Sequence, residues 1–264
     1  MYLNKRKAIF LISIFLLVCL LTNNDIKAQE LKNWDNKTWL SSKPYISSFH
    51  SFLLKRKKLN RDSKILDIGC GRGKIFGSLS RKLKFNNRPI GVDPILHKDI
   101  DRSIDFRNED IFSFFKINHS KFDLIIIKQT LHFFNNDKRK RLIKICKNNL
   151  TKNGVLLIFS LNTLNNEIPC FKLMKQKLKR GLKRDSRMLN TACKMLKNNR
   201  INKFKFRVSV TKDKYIQMLK QKYISCLVNL NKDQINKGIN EIKDTYPNKI
   251  LFEDILIYIK YKHQ

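Results

Sequence analysis

The chain has 264 residues, and 56 Lys and Arg against 21 Asp and Glu leave a formal charge of +35. With 42% hydrophobic and 10% aromatic residues and only 8 Gly and 5 Pro, it is no disordered, collagen-like or low-complexity chain. Its 6 cysteines include no Cys-x-x-Cys pair and no His/Cys set stands at ligand spacing, which argues against a zinc ribbon, a disulfide framework or any bound metal.

Lys5, Arg6 and Lys7 precede an apolar run over residues 8–21. That is short of the roughly 20 residues that span a bilayer, but it suits a signal-peptide core. Cys19 follows Val18, which is larger than the small residue a lipoprotein site needs. Residues 1–28 are therefore read as a hydrophobic segment that is signal-like, a membrane tether or a misplaced start. Residues 29–60 are expected to form a helical cap, with an amphipathic helix over Ser47 to Leu59 carrying Phe49, Phe52, Leu53 and Leu54 on one side.

Alternation of strand and helix follows. Lys64 to Ile68 reads as a buried strand, Lys74 to Leu83 as a helix, Pro89 to Asp93 as a second strand and Ile104 to Asn108 as a third. Phe122 to Lys128 is apolar throughout its centre, as a strand covered on both faces should be. Asp137 to Leu150 has helical spacing, and Asn153-Gly154 turns into a strand over Val155 to Ser160. A basic helical insertion is expected over 166–203. A strand over Phe204 to Val210, helices over Asp213 to Leu230 and Asp233 to Ile242, and a closing strand over Ile250 to Tyr261 complete the chain. The pattern predicts an α/β fold, a doubly wound, mostly parallel sheet, within 61–264.

The basic excess is concentrated between Lys172 and Arg207, where fourteen basic residues face the single acid Asp185. That stretch reads either as a helical hairpin that touches phosphate or as a solvated helix surface in a Lys-rich chain.

The sharpest motif is Ile65-Leu66-Asp67-Ile68-Gly69-Cys70-Gly71-Arg72-Gly73. A strand and an acid run into three alternate glycines and then a helix, which lets backbone approach a ligand at the helix N-terminus. The spacing fits neither a phosphate-binding P-loop nor the dinucleotide fingerprint. A second acid, Asp93, ends the next strand. Cys70 reads as a small apolar spacer.

These residues resemble the class I S-adenosylmethionine-dependent methyltransferases, and in particular the broad small-molecule group called type 11. The resemblance covers about residues 40–160 and continues weakly to the C-terminus. It implies a Rossmann-like sheet of seven strands with an antiparallel last strand, and S-adenosyl-L-methionine as cofactor. Asp67, Gly69, Cys70, Gly71 and Gly73 would cradle its methionine part, Asp93 would accept from both ribose hydroxyls, and Asp110 with the Ile111 N–H would hold the adenine. Lys128, Gln129 and His132 would stand at the reacting end, with Lys128 and His132 as candidate catalytic groups.

Methyl transfer from a sulfonium asks chiefly for alignment and exclusion of water, so a strong catalytic signature is not expected. Lys128-Gln129-Thr130-Leu131 stands where amino-methylating enzymes carry Asn/Asp-Pro-Pro-Tyr/Phe. The resemblance therefore implies a small-molecule methyl acceptor. An RNA acceptor held by the basic stretch and a cofactor-binding protein without turnover are the alternatives. Trp34, Trp39, Tyr45, Phe49, Tyr215, Met218 and Tyr223 read as core or as walls of the acceptor pocket. The need for a cytosolic cofactor places the domain in the cytoplasm, with residues 8–21 as its membrane association if they act as a tether.

Overall fold

The computed structural model describes residues 38–197 and 200–263. The expectations for residues 1–28, Cys19 and Trp34 lie outside these. After a 3-10 turn at Trp39–Ser41, helix α1 covers Lys43–Leu54. It begins earlier than the periodicity suggests because Ser42 caps Tyr45 N–H and Pro44 fits the first turn. Tyr45, Phe49, Phe52 and Leu53 form its buried stripe, and the helix stops at Leu54 where the basic run 55–58 begins.

Strand β1 (Ile65–Ile68), α2 (Lys74–Leu83), β2 (Ile90–Val92), β3 (Asp105–Arg107) and α3 (Ile111–Ile117) follow. Then come β4 (Phe122–Lys128), α4 (Asn136–Asn148) and β5 (Leu150–Leu161). The strands join one sheet of seven in the order β3-β2-β1-β4-β5-β7-β6. β1 pairs in parallel with β2 and β4. β7 (Lys249–Lys262) runs antiparallel between β5 and β6 (Ile201–Thr211). The expected doubly wound sheet with an antiparallel last strand is what the chain forms.

Between β5 and β6 lies α5 (Lys172–Met195), and between β6 and β7 lie α6 (Lys212–Lys220) and α7 (Lys232–Thr245). The basic stretch is not a helical hairpin. It is one helix of 24 residues followed by the sheet's edge strand, because Met174, Leu178, Leu182, Met188, Leu189 and Ala192 keep one continuous apolar stripe. The expected helix over 213–230 ends at Lys220. Lys222 then takes φ 50°, and Tyr223 N–H donates to Met218 O (3.2 Å), the bond that closes a helix with a left-handed residue.

One face of the sheet is covered by α1 and α2 through Tyr45, Phe49, Phe76 and Leu79. The other is covered by α3, α4 and the second half of α5, with Leu142, Met188 and Leu189 on Ile125, Ile127 and Ile158. Tyr215, Met218 and Tyr223 are buried with α7 and Phe252, and Tyr215 Oη lies 2.8 Å from Tyr223 Oη. These three are core. Among the described residues no helix is long and apolar enough to cross a membrane.

Candidate active site

Loops meet beyond the carboxyl ends of β1, β2 and β4, where ligands of open α/β sheets sit. From Ile68 the chain turns through three glycines into α2. Gly69, Gly71 and Gly73 all hold positive φ, at 71°, 55° and 67°. A Cβ on Gly69 would fall 2.2 Å from Thr130 Oγ1, because the loop after β4 closes over it. A Cβ on Gly71 would meet nothing within 4 Å. The bare backbone of Gly71 thus borders open space, a cradle that fits a bound group.

Asp93 ties this loop to β2. Its Oδ2 accepts from Gly71 N–H and its Oδ1 from Ile95 N–H, both at 2.9 Å. Oδ1 also faces His97 Nε2 at 3.7 Å; a carboxylate oxygen offers two acceptor sites, so Oδ2 keeps one for a ligand hydroxyl. Asp67 is 8% exposed. Burial raises its carboxyl to about 7, with Lys128 opposing the rise and Asp93 adding to it. Cys70 packs against Gly91, where a Cβ would lie 2.7 Å from Cys70 Sγ, and burial holds the thiol well above its ordinary value, which disarms it as a nucleophile.

Asp110 caps α3, accepting from Phe112 N–H at 2.8 Å. Ile111 is the helix's first residue, so its N–H has no partner within the helix. Lys128 ends β4 with Nζ 5.5 Å from the Tyr45 ring and 5.7 Å from Phe49, within cation–π range. Gln129 takes φ 54°, uncommon for a side-chain-bearing residue, and its Oε1 is buried without a hydrogen-bond partner.

His132 stands apart from this group. It lies in the 3-10 turn Leu131–Phe133, with Nε2 buried and unpartnered. Burial lowers its imidazole, and the charges that act on it are Asp185, Arg184 and Arg139 rather than the carboxylates of the glycine loop. The imidazole is therefore neutral at pH 7, and an inflection at the ordinary value of about 6.5 is not expected of it.

One residue escaped the sequence reading. Asp254 on β7 is 2% exposed, and its Oδ2 accepts from Trp39 Nε1–H at 2.8 Å. Burial raises its carboxyl, while the Trp39 bond and the Lys128 charge lower it. The signal was present: alternation along Phe252, Asp254 and Leu256 puts a carboxylate at an inward position of an apolar strand.

Residues 65–154, which hold the glycine loop, β4 and α4, match the family model described as "Methyltransferase domain". That stretch is similar to a methyltransferase domain, and the sheet that holds it has the class I methyltransferase fold. A carboxy-S-adenosyl-L-methionine synthase from Helicobacter pylori strain G27 is 28% identical over 108 residues, 39% of this chain and 45% of that protein. Its counterpart from strain HPAG1 is 29% identical over the same length. The chain thus matches under half the length of these curated relatives. The fold of the domain with its additions is shared by an Anabaena variabilis protein named as a methyltransferase of an antibiotic biosynthesis pathway. That protein is 14% identical at a TM-score of 0.56, covering 80% of this chain and 95% of that one.

Proposed function

We propose that the methyltransferase domain binds S-adenosyl-L-methionine and passes its methyl group to a small-molecule acceptor. The observation that carries this reading is the Gly71 cradle, open where a Cβ would stand and flanked by the buried carboxylates of Asp67 and Asp93. The cofactor supplies a methyl group already activated on a sulfonium.

The chain's own residues bind and orient. Asp67 and the backbone of Gly69, Cys70, Gly71 and Gly73 hold the amino-acid end. The Asp93 carboxylate takes the ribose hydroxyls, and Asp110 with the Ile111 N–H takes the adenine. Lys128 and Gln129 close the reacting end, where the unpartnered Gln129 Oε1 accepts from a ligand. His132 supports this loop by packing and is not the base, since its neighbours are the α4 and α5 charges.

A small acceptor is favoured over RNA by the sign of the buried charge. Asp67, Asp93 and Asp254 are all buried, and the cation acting on Asp67 and Asp254 is Lys128. A phosphate brought to the reacting end would face these carboxylates, which disfavours a phosphate-rich acceptor there. The names of the curated relatives point the same way, since S-adenosylmethionine chemistry on a small molecule is what they describe.

Calorimetry with S-adenosylhomocysteine tests the reading. Binding is expected in the wild type, and Asp93→Ala should weaken it strongly, since hydrogen bonds to a charged group are worth about 1.5–3 kcal/mol each. Lys74→Ala, half-buried at the start of α2 and away from the Gly71 space, should change it little. No binding by a folded sample would overturn the proposal.

A further inference from the structure

Asp254 has no part in holding the proposed cofactor, and its surroundings point to a ligand of a particular kind. It lies opposite Phe206 across the β6–β7 pair. It stands two residues beyond Leu256, the partner of the last residue of β5, Leu161, and so beyond the carboxyl edge of the parallel strands. Tyr45 packs edge-on against Phe206 at 5.1 Å, and Trp39 against Phe252 at 5.1 Å. The wall is aromatic, with one carboxylate set into it.

Two polar groups in this wall are undersupplied. Tyr45 is 0% exposed, and its Oη has no hydrogen-bond partner among the described residues. Asp254 accepts one bond, from Trp39, although a carboxylate can accept about four. A buried hydroxyl left unmade is costly, so native structures supply a partner from protein, water or ligand. Lys128 places its charge near both groups, acting on Asp254 with its Nζ beside the Tyr45 ring.

We infer that Asp254 and the Tyr45 hydroxyl are the recognition point for the methyl acceptor, and that the acceptor is a small aromatic molecule offering a protic nitrogen or oxygen to be methylated. The aromatic wall takes the ring by offset or edge contacts. The Asp254 carboxylate accepts from the acceptor's N–H or O–H and fixes the heteroatom's direction, while Tyr45 Oη meets its second polar position. A carboxylate acceptor is turned away, because it would face Asp254 charge to charge. The inference rests on the methyl-transfer reading above and adds to it the class of acceptor atom.

The test is calorimetric titration of the protein saturated with S-adenosylhomocysteine, using benzylamine, phenol and benzoate as probes of one size. Benzylamine and phenol should bind at least about tenfold tighter than benzoate, the discrimination expected of one charge-assisted contact. Asp254→Asn still offers the Trp39 indole an acceptor and should abolish that preference without changing S-adenosylhomocysteine affinity. Tyr45→Phe should weaken binding of catechol, which has a second hydroxyl for the Tyr45 Oη, more than binding of phenol, which has none. Equal binding of the three probes, no binding by either donor, or an undiminished preference in Asp254→Asn would overturn the inference. The wild-type comparison stands even if a variant fails to fold. Failure of S-adenosylhomocysteine itself to bind is a separate outcome that overturns the methyl-transfer reading instead.

Discussion

Asp67 sits where a buried acid and a ligand's positive charge can meet, and its proton is the sign of it. In an unfolded chain an aspartate titrates at about 3.9, whereas burial holds Asp67 at about 7. Between these values the folded protein keeps a proton that the unfolded chain has released. Stability of the ligand-free protein therefore falls as pH rises from about 4 to about 7, then levels off. Asp67→Asn should remove this part of the decline in melting temperature; an unchanged decline would place its origin elsewhere. A sulfonium-bearing ligand beside Asp67 favours the carboxylate, so binding near neutral pH should release a proton. The binding heat should then depend on the buffer's ionisation heat, and this dependence should vanish in Asp67→Asn. For His132 the expectation differs: His132→Ala should leave the shape of the pH–rate profile between about pH 6 and 8 unchanged, because the imidazole is already neutral there. The residues legible in the sequence were those fixed by local spacing, namely Asp67, the three glycines and Asp93. Asp254 was not, because its meaning comes from Trp39, which lies 215 positions away in the chain.

The turn between β1 and α2 separates two effects that a glycine motif usually merges. Alanine at either Gly69 or Gly71 forces an L side chain into left-handed backbone at about 1–2 kcal/mol. At Gly69 the new methyl also strikes Thr130, and overpacking of that sort adds about 1–3 kcal/mol. Gly69→Ala should thus lower the melting temperature markedly. Gly71→Ala should cost only the backbone strain, because its Cβ enters open space, yet it should weaken S-adenosylhomocysteine binding more than its stability loss explains. Similar stability losses with retained binding would mean that the Gly71 space is not the ligand's. At this scale the sequence was informative where period and punctuation agree: α2 (Lys74–Leu83) and β4 (Phe122–Lys128) begin and end as their patterns indicate. α3 was missed because a helix of 7 residues written Ile-Phe-Ser-Phe-Phe-Lys-Ile shows no clear period. Of the two readings of the basic stretch, the helix surface holds and the hairpin does not. Charge alone does not distinguish them; the apolar spacing of α5 makes it one continuous helix.

Across the whole molecule the charge is divided by depth. The formal balance is +35, while Asp67, Asp93, Asp101, Asp185 and Asp254 are buried, so the surface is more basic than the total suggests. Such an excess destabilises the compact state through self-repulsion. The ion pairs among the described residues, such as Arg107–Asp105 and Lys205–Glu253 with both partners partly exposed, oppose it weakly, since pairs of this kind contribute about 0–1 kcal/mol. Salt acts on the two effects in opposite directions. Raising ionic strength from about 0.01 to 0.15 M shortens the screening length from about 30 to 8 Å, which relieves long-range repulsion among many cations more than it weakens a few close pairs. The melting temperature should therefore rise with sodium chloride over that range. The double variant Lys179→Glu and Lys183→Glu, on the exposed side of α5, should raise it at low salt and reduce its salt dependence. S-adenosylhomocysteine affinity should be the same in that variant, because the glycine loop and the α5 surface belong to different parts of the sheet. A melting temperature that falls with salt would show that close ion pairs, not the excess charge, govern stability.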